Sequence, residues 1–340
     1  LLENKPFWTD VPVQVQKEVE RKLRSTISSA ERVFGGFGPS ATFRLRLDNG
    51  RTIFVKGAGK GSTPVNWEAV SVEEEMYKTI QSISAFSPAY LGSVKTRDWH
   101  LVLLEDVSDA VEVPPWTKEL AINAVQGIAN FHVQGISEKE KVDSVLSKGY
   151  ETSWRFLKEN KAEREYFLTL FKDKRDKAES WFYEVIDTVI EAEEHVFDSE
   201  QPWGLIHFDI RSDNLRLRNG KIVLFDWALL CNGPLVLDIM LFFPSVLGEG
   251  GPSAEILFPE YKAIMEKNGI IFPDFTVLAA AAFTAGFFAA RAGKEPIPIL
   301  PRLRSNQRMQ LGPALWWMTK IMNLPDPPCI DFKEGSVASK

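Results

Sequence analysis

The chain has 340 residues, 44% of them hydrophobic and 25% charged, an ordinary globular composition that excludes disordered, collagenous and disulfide-scaffold classes. Its 40 Lys and Arg against 46 Asp and Glu leave a net charge of -6 with no basic block, which argues against a nucleic-acid partner. The two cysteines, Cys231 and Cys329, lie far apart with no CxxC or Cys/His cluster nearby, which points to a reducing compartment and away from zinc.

The length allows one large unit or two lobes. The N-terminal LLENKPFWTD lacks the basic-then-apolar run of a secretory leader, so a cytoplasmic chain is expected. Val15, Val19, Leu23 and Ile27 recur every four residues between Pro12 and Ser28, which predicts an amphipathic helix. Three β-rich runs follow: ERVFGG, TFRLRL and RTIFVKG. The first two are joined by a glycine-rich loop over 35–40, the next two by the tight-turn signal Asp48-Asn49-Gly50, predicting antiparallel strands. A helix over 67–83, with Val70, Met76, Tyr77 and Ile80 as its apolar set, precedes strand-like runs at 89–94 and 100–105.

Pro114-Pro115 then punctuates the chain, and the remainder reads as mainly helical. Thr117 is the expected N-cap of the next helix, and helical patterns continue over 153–171 and 180–196. A β interlude with strands at 215–217 and 222–225 turns at Asn219-Gly220, and helices are predicted over 253–267, 275–291 and 306–322. The uncharged stretch 275–290 is shorter than the ~18 residues that read as membrane-spanning. A buried core helix is expected there, and no membrane association. Strands first and helices afterwards predict an α+β, two-lobed architecture, with residues 1–105 as a strand-rich nucleotide lobe and 106–340 as a helical lobe.

Two glycine-rich segments are decoys. Gly57-Ala58-Gly59-Lys60-Gly61-Ser62-Thr63 interposes Gly61 where a phosphate loop needs Ser or Thr directly after its Lys, and Gly36-x-Gly38 is a truncated dinucleotide fingerprint between two strands. Neither HExxH nor GxSxG occurs, which removes zincin and α/β-hydrolase chemistry. The strong signal is His207-Phe208-Asp209-Ile210-Arg211-Ser212-Asp213-Asn214, followed by Asp226-Trp227 after an apolar strand. Phosphoryl transfer needs one carboxylate to orient a hydroxyl, and an amide oxygen with a second carboxylate to hold magnesium, and Asp209, Asn214 and Asp226 have that order and spacing. Lys56 ends an apolar strand after the glycine-rich loop, where such a lysine grips phosphates. Its partner is expected on the following helix, with Glu73 preferred and Glu74 and Glu75 as alternatives. Arg211 is placed to neutralise a transferred phosphoryl group.

With these residues the chain resembles the aminoglycoside phosphotransferase and choline kinase-like family, which has the two-lobed protein-kinase-like fold. The likeness runs through FGGFGPSATFRLRLDNGRTIFVK, LVLLEDV at 101–107, HFDIRSDN, LFDW and Gly233-Pro234 followed by Asp238. It implies ATP and magnesium as cofactors and a small-molecule hydroxyl as acceptor. It also implies a catalytic base at Asp209, metal ligands at Asn214 and Asp226, and a Lys56–Glu73 phosphate-positioning pair. Gly36, Gly38 and Ser40 would lie over the phosphates, and backbone groups of Glu105 and Val107 would contact adenine. Phe208 departs from the family, which usually carries glycine there, so its ring must find an apolar niche. The gap from Asp226 to Gly233 is too short for a protein-kinase activation segment. An acceptor is expected against the helical lobe near Trp154, Trp203, Trp316 and Trp317. The alternative is a catalytically silent nucleotide-binding regulator of the same fold.

Overall fold

A computed structural model of the protein describes residues 5–35, 38, 40–149 and 152–329. The expectation for Gly36 therefore lies outside the described residues. Helix α1 (Val13–Leu23) buries Val15, Val19 and Leu23 and ends where Arg24 takes the left-handed conformation at φ 53°. That stop moves Ile27 out of the helix and into the first strand, although its spacing fits the helical face. Strands β1 (Ile27–Arg32), β2 (Ala41–Leu47), β3 (Thr52–Ala58), β4 (Tyr90–Lys95) and β5 (His100–Glu105) form one antiparallel sheet in the order β1-β2-β3-β5-β4.

Side chains alternate across the sheet, so each strand feeds two different cores. Phe43, Leu45, Ile53, Val55, Leu101 and Leu103 pack under α1. Ala58, Val102 and Leu104 pack on the opposite face against Val70 of helix α2 (Pro64–Thr79), and Lys56 shares that second face. Thr63 opens α2 by accepting the Asn66 N–H at 3.2 Å, with Pro64 in the first turn. This geometry also explains the decoy glycines. A Cβ on Gly57 would lie 2.2 Å from the His100 carbonyl oxygen, and one on Gly59 would strike the Trp99 ring. They are small because strands and rings approach closely, independent of any phosphate.

Beyond β5 the chain is mainly helical. It runs through β6 (Val111–Glu112), α3 (Lys118–Gly135), α4 (Ser153–Glu159), α5 (Lys161–Leu168), α6 (Arg175–Glu194), β7 (Trp203–Ile206), β8 (Leu215–Arg218) and β9 (Lys221–Leu224). It closes with β10 (Cys231–Pro234), α7 (Val236–Gly248), α8 (Ala254–Lys267), α9 (Asp274–Ala292) and α10 (Leu303–Ile321). Thr117 caps α3 as expected, accepting the Leu120 N–H at 3.1 Å. The helix predicted over 153–171 is broken at Asn160, whose side chain caps α5 through the Glu163 N–H. Helix α6 begins at Arg175, ahead of its predicted start at 180. Helix α9 is long and apolar enough to cross a bilayer, but 72% of its apolar window is buried inside the protein, where it forms the centre of the helical lobe. The short strands make two small sheets, β6-β8-β9 and β7-β10. The second of these feeds the loop that follows β7, which carries the site.

Candidate active site

The loop leaves β7 at His207, a fully buried residue. The His207 Nε2–H donates to the Phe225 carbonyl at 2.8 Å, and its Nδ1 accepts the Asp209 N–H at 3.3 Å, which fixes the ring tautomer. Burial lowers its pKa, so the imidazole is a neutral pivot between the loop and the end of β9. A further backbone bond, Phe225 N–H to the Asn214 carbonyl at 3.0 Å, holds the same two segments together.

Phe208 adopts φ 65°, a left-handed conformation that suits glycine. Its ring is nevertheless buried in the main core, and its N–H donates to Asp238 Oδ1 at 2.6 Å. The aromatic ring thus finds the niche that the sequence demanded. Backbone strain of this kind costs about 1–3 kcal/mol, whereas deleting a buried Phe side chain costs about 3–5 kcal/mol. Burial therefore wins, and Phe208→Gly is expected to lower stability by about 1–3 kcal/mol in urea unfolding. A more stable variant would show that the strain is the larger effect.

Asp209 and Asn214 are locked together: Asn214 Nδ2 donates to the Asp209 carbonyl and to Asp209 Oδ2, both at 3.0 Å. Asn214 Oδ1 accepts no hydrogen bond from a described residue and remains available to a cation. Arg211 Nη1 lies 2.9 Å from Asp209 Oδ1, and its guanidinium also grips both oxygens of Asp213 at 3.0 and 3.1 Å. Burial raises the Asp209 carboxyl to about 7 in spite of Arg211, which favours the charged form.

Lys56 connects the lobes. Its Nζ lies 2.7 Å from Glu73 Oε2 and 2.8 Å from Asp226 Oδ1. Burial alone would lower the Lys56 pKa, but the Asp226 and Glu73 carboxylates outweigh it and hold the ammonium above its ordinary value. Burial likewise opposes the charge on Asp226, and Lys56 reverses it, leaving that carboxyl below its usual range. Of the three glutamates open in the sequence, Glu73 alone meets Lys56. Glu74 instead serves Lys78, His100, Tyr90 and Ser93, and Glu75 is exposed.

A cleft between the lobes is lined by Gly38, Ser40, Lys56, Val107, Asn214 and Asp226, so these six expected residues share one space. Glu73 stands behind Lys56 in the sheet lobe, and Asp209 and Arg211 adjoin Asn214 in the loop. Glu105 does not line the cleft. Its carboxylate pairs with Arg218 at 2.7 Å and accepts the Ala89 N–H, while its own N–H is spent on the Ala89 carbonyl. Val107 accepts from Ala110 N–H through its carbonyl and keeps its own N–H without a partner among the described residues. The Ser40 hydroxyl donates to Asn66 Oδ1 at 2.8 Å, so its proton is already committed. Trp154 is fully buried with its Nε1–H on the Ala282 carbonyl, and Trp317 is buried against Met240, because both rings are needed to fill the helical core.

Sequence reading missed Asp213, Phe54, Phe225 and the Arg44–Asp106 pair, all of which line the cleft. Asp213 lies inside the motif, and its spacing of two from Arg211 was the available signal. Among the described residues no three His, Cys, Asp or Glu side chains form a metal cage by themselves. One amide oxygen and one carboxylate facing a phosphate-sized cleft fit magnesium, which takes few protein ligands and completes its shell with phosphates and water.

The model of the phosphotransferase enzyme family matches residues 144–257, the stretch that carries Asp209, Asn214 and Asp226. No curated protein sequence matches the chain. The fold is similar to that of a spectinomycin phosphotransferase in complex with ADP and spectinomycin, with TM-score 0.61, 13% identity, and coverage of 91% of this chain and 98% of that one. It is also similar to an amicoumacin kinase in complex with AMP-PNP and Ca2+, with TM-score 0.53, 11% identity, and coverage of 90% and 96%. At such identities the likeness is one of fold. The matched stretch is part of the chain, and with the shared fold it makes the chain similar to phosphotransferases built on the kinase-like fold. Within that class the chain resembles the aminoglycoside phosphotransferases.

Proposed function

We propose that the protein transfers the γ-phosphoryl group of ATP, with magnesium, to a hydroxyl group of a small molecule. The observation that carries this reading is the continuous link from Glu73 through Lys56 to Asp226, at 2.7 and 2.8 Å, facing the Asp209–Asn214 pair. In this reading residues 1–105 hold the nucleotide and 106–340 supply the reacting loop and acceptor site. The free N–H of Val107 reads the adenine edge, and Lys56 turns from Asp226 toward the phosphates. Asn214 Oδ1 and Asp226 would hold magnesium, which neutralises phosphate charge when bound. Arg211 holds Asp209 in place rather than meeting the phosphoryl group first, because its donors are already committed to two carboxylates. Asp209, poised near neutrality, orients the acceptor hydroxyl and takes its proton as the new P–O bond forms and the bond to ADP breaks.

Incubation of the purified protein with Mg-ATP and a panel of hydroxylated compounds tests this, with ADP release and a new phosphate monoester in 31P NMR as readouts. A protein that binds ATP tightly yet consumes none with any acceptor would be the silent regulator instead. Lys56→Met is expected to lower kcat/KM by about 100-fold, the scale of losing one charged donor to the transition state, measured by coupled ADP assay. An unchanged value would remove Lys56 from the phosphate site.

A further inference from the structure

The helical lobe holds a second cleft of 600 Å3, walled by the segment that opens α4, the end of α9 and the first turns of α10. Its volume falls within the ~300–1,000 Å3 of small-molecule sites. Four cations line it, Lys148, Arg291, Lys294 and Arg304, and no Asp or Glu is among its described lining residues. In a chain with a net charge of -6, this local surplus runs against the whole.

The four cations differ in their partners among the described residues. Lys294 pairs with Glu163 at 2.7 Å. Among the described residues Arg304 donates to neutral acceptors, the Glu295 carbonyl at 3.3 Å and Gln307 Oε1 at 2.7 Å. Burial and the neighbouring Arg308 both press the Arg304 pKa below its ordinary value, and Arg308 itself donates to the Ala292 carbonyl. Lys148 makes no ion pair with a described residue. A guanidinium held on neutral oxygens beside a second guanidinium is short of an anion.

The position of the cleft ties it to the reacting loop. The segment leading to Lys148 is stitched to β10, through the Asn232 N–H to the Asp143 carbonyl at 2.9 Å and the Ser144–Asn232 bridge. Strand β10 pairs with β7, which runs directly into His207 and Asp209. At the other rim Arg302, immediately before α10, donates to the Gly35 carbonyl at 3.0 Å at the start of the glycine-rich loop.

We propose that this cleft takes an anionic group and is the acceptor site: the acceptor is a hydroxylated metabolite bearing a carboxylate or phosphate, held by Arg304 and Lys148. This rests on the phosphotransferase reading and names its substrate class. The acceptor hydroxyl loses its proton to Asp209, its oxygen bonds to the γ-phosphorus of ATP, and ADP leaves. Polycationic aminoglycosides would meet repulsion in the same cleft.

The probes are gluconate and glucose 6-phosphate as anions, glucose as the neutral reference and kanamycin as the cationic one. Calorimetric titration of the full chain, saturated with AMP-PNP and magnesium, should show binding of an anion and neither glucose nor kanamycin. Arg304→Gln should weaken that binding about tenfold or more, as loss of a charged hydrogen bond does. Lys148→Gln, on a partly exposed turn, gives the same reading should Arg304→Gln unfold. With ATP, the anion should accelerate ADP release, and either variant should raise its KM about tenfold with kcat little changed, the signature of lost ground-state binding. Anion binding that ignores both substitutions, no anion binding, or ATP consumption with kanamycin or glucose instead overturns the anionic cleft; the last leaves the phosphotransferase reading intact. Anion binding that depends on Arg304, without ATP consumption by any acceptor, supports the anion cleft and overturns the phosphotransferase reading.

Discussion

Asp209→Asn is expected to lower kcat by about a thousandfold, within the range for loss of a positioned acid or base, while nucleotide affinity stays near that of the wild type. The amide keeps the shape and the hydrogen-bonding reach toward Asn214, but it cannot accept the acceptor's proton. The same substitution has an opposite effect on stability. Burial has raised the Asp209 carboxyl to about 7 from an ordinary 3.8. Between those values the folded state keeps a proton that the unfolded chain has released, so stability falls as pH rises through the window from about 4 to 7. Above it the ionised, buried carboxylate stays as a standing cost. Asparagine carries no such charge, so its stability relative to wild type should improve by about 2 kcal/mol between pH 4 and pH 8, discounted for the partial exposure of the side chain. Urea unfolding of the apo proteins in EDTA at both pH values is the measurement. If the variant is instead less stable at pH 8 than at pH 4 relative to wild type, the Arg211 ion pair outweighs desolvation, and the Asp209 carboxyl lies below its ordinary value rather than above it.

The divided outcome, an activity lost and a fold strengthened, reflects how the site was legible in the sequence. Asp209, Asn214 and Asp226 stand within one loop and one strand end, and their chemistry imposes a spacing that survives without neighbours to explain it. Lys56 was readable because it ends an apolar strand that follows the glycine-rich loop, and the structure turns it onto the sheet face toward α2. Choosing among Glu73, Glu74 and Glu75 needed the helix rotation, which is set by Val70 packing on the sheet. Other elements left no local signal. Cys231-Asn232-Gly233-Pro234 carries no strand pattern of its own, yet it is strand β10 because β7 pairs with it residue for residue. Helix α7 is buried around nearly its whole circumference and contains Pro244, so neither amphipathic period nor propensity marks it. The break at Asn160 came from a side-chain cap inside what periodicity reads as a continuous helix. The role of Arg211 was ambiguous for a similar reason: spacing puts it near the phosphoryl group, and only the positions of Asp209 and Asp213 show where its donors go.

Asp238→Ala, in the first turn of α7, is expected to be the most destabilising single change among the residues that hold the loop, although Asp238 touches none of the residues proposed to react. Its carboxylate is fully buried and accepts the N–H groups of His207 at 2.7 Å and Phe208 at 2.6 Å, together with His132 Nε2 at 3.1 Å. His132 is itself held by the Tyr261 hydroxyl at 2.8 Å. Alanine would orphan two buried backbone donors and one buried imidazole at once, at a cost of about 3–5 kcal/mol. It would also release a bond that holds the Phe208 backbone at φ 65°, the conformation that sets the direction of the next residue, Asp209. Asp238→Asn separates these effects. Its single carbonyl oxygen can accept from one of the two N–H groups, and its NH2 faces the other donor, so stability should fall by about half as much. Activity should still drop about tenfold or more, since a loop displaced by a fraction of an ångström no longer presents Asp209 in reacting geometry. Thermal unfolding and kcat measured on both variants decide the matter. A fully active Asp238→Asn protein would mean that the ring of Phe208, rather than the carboxylate beneath it, holds the loop in its strained turn.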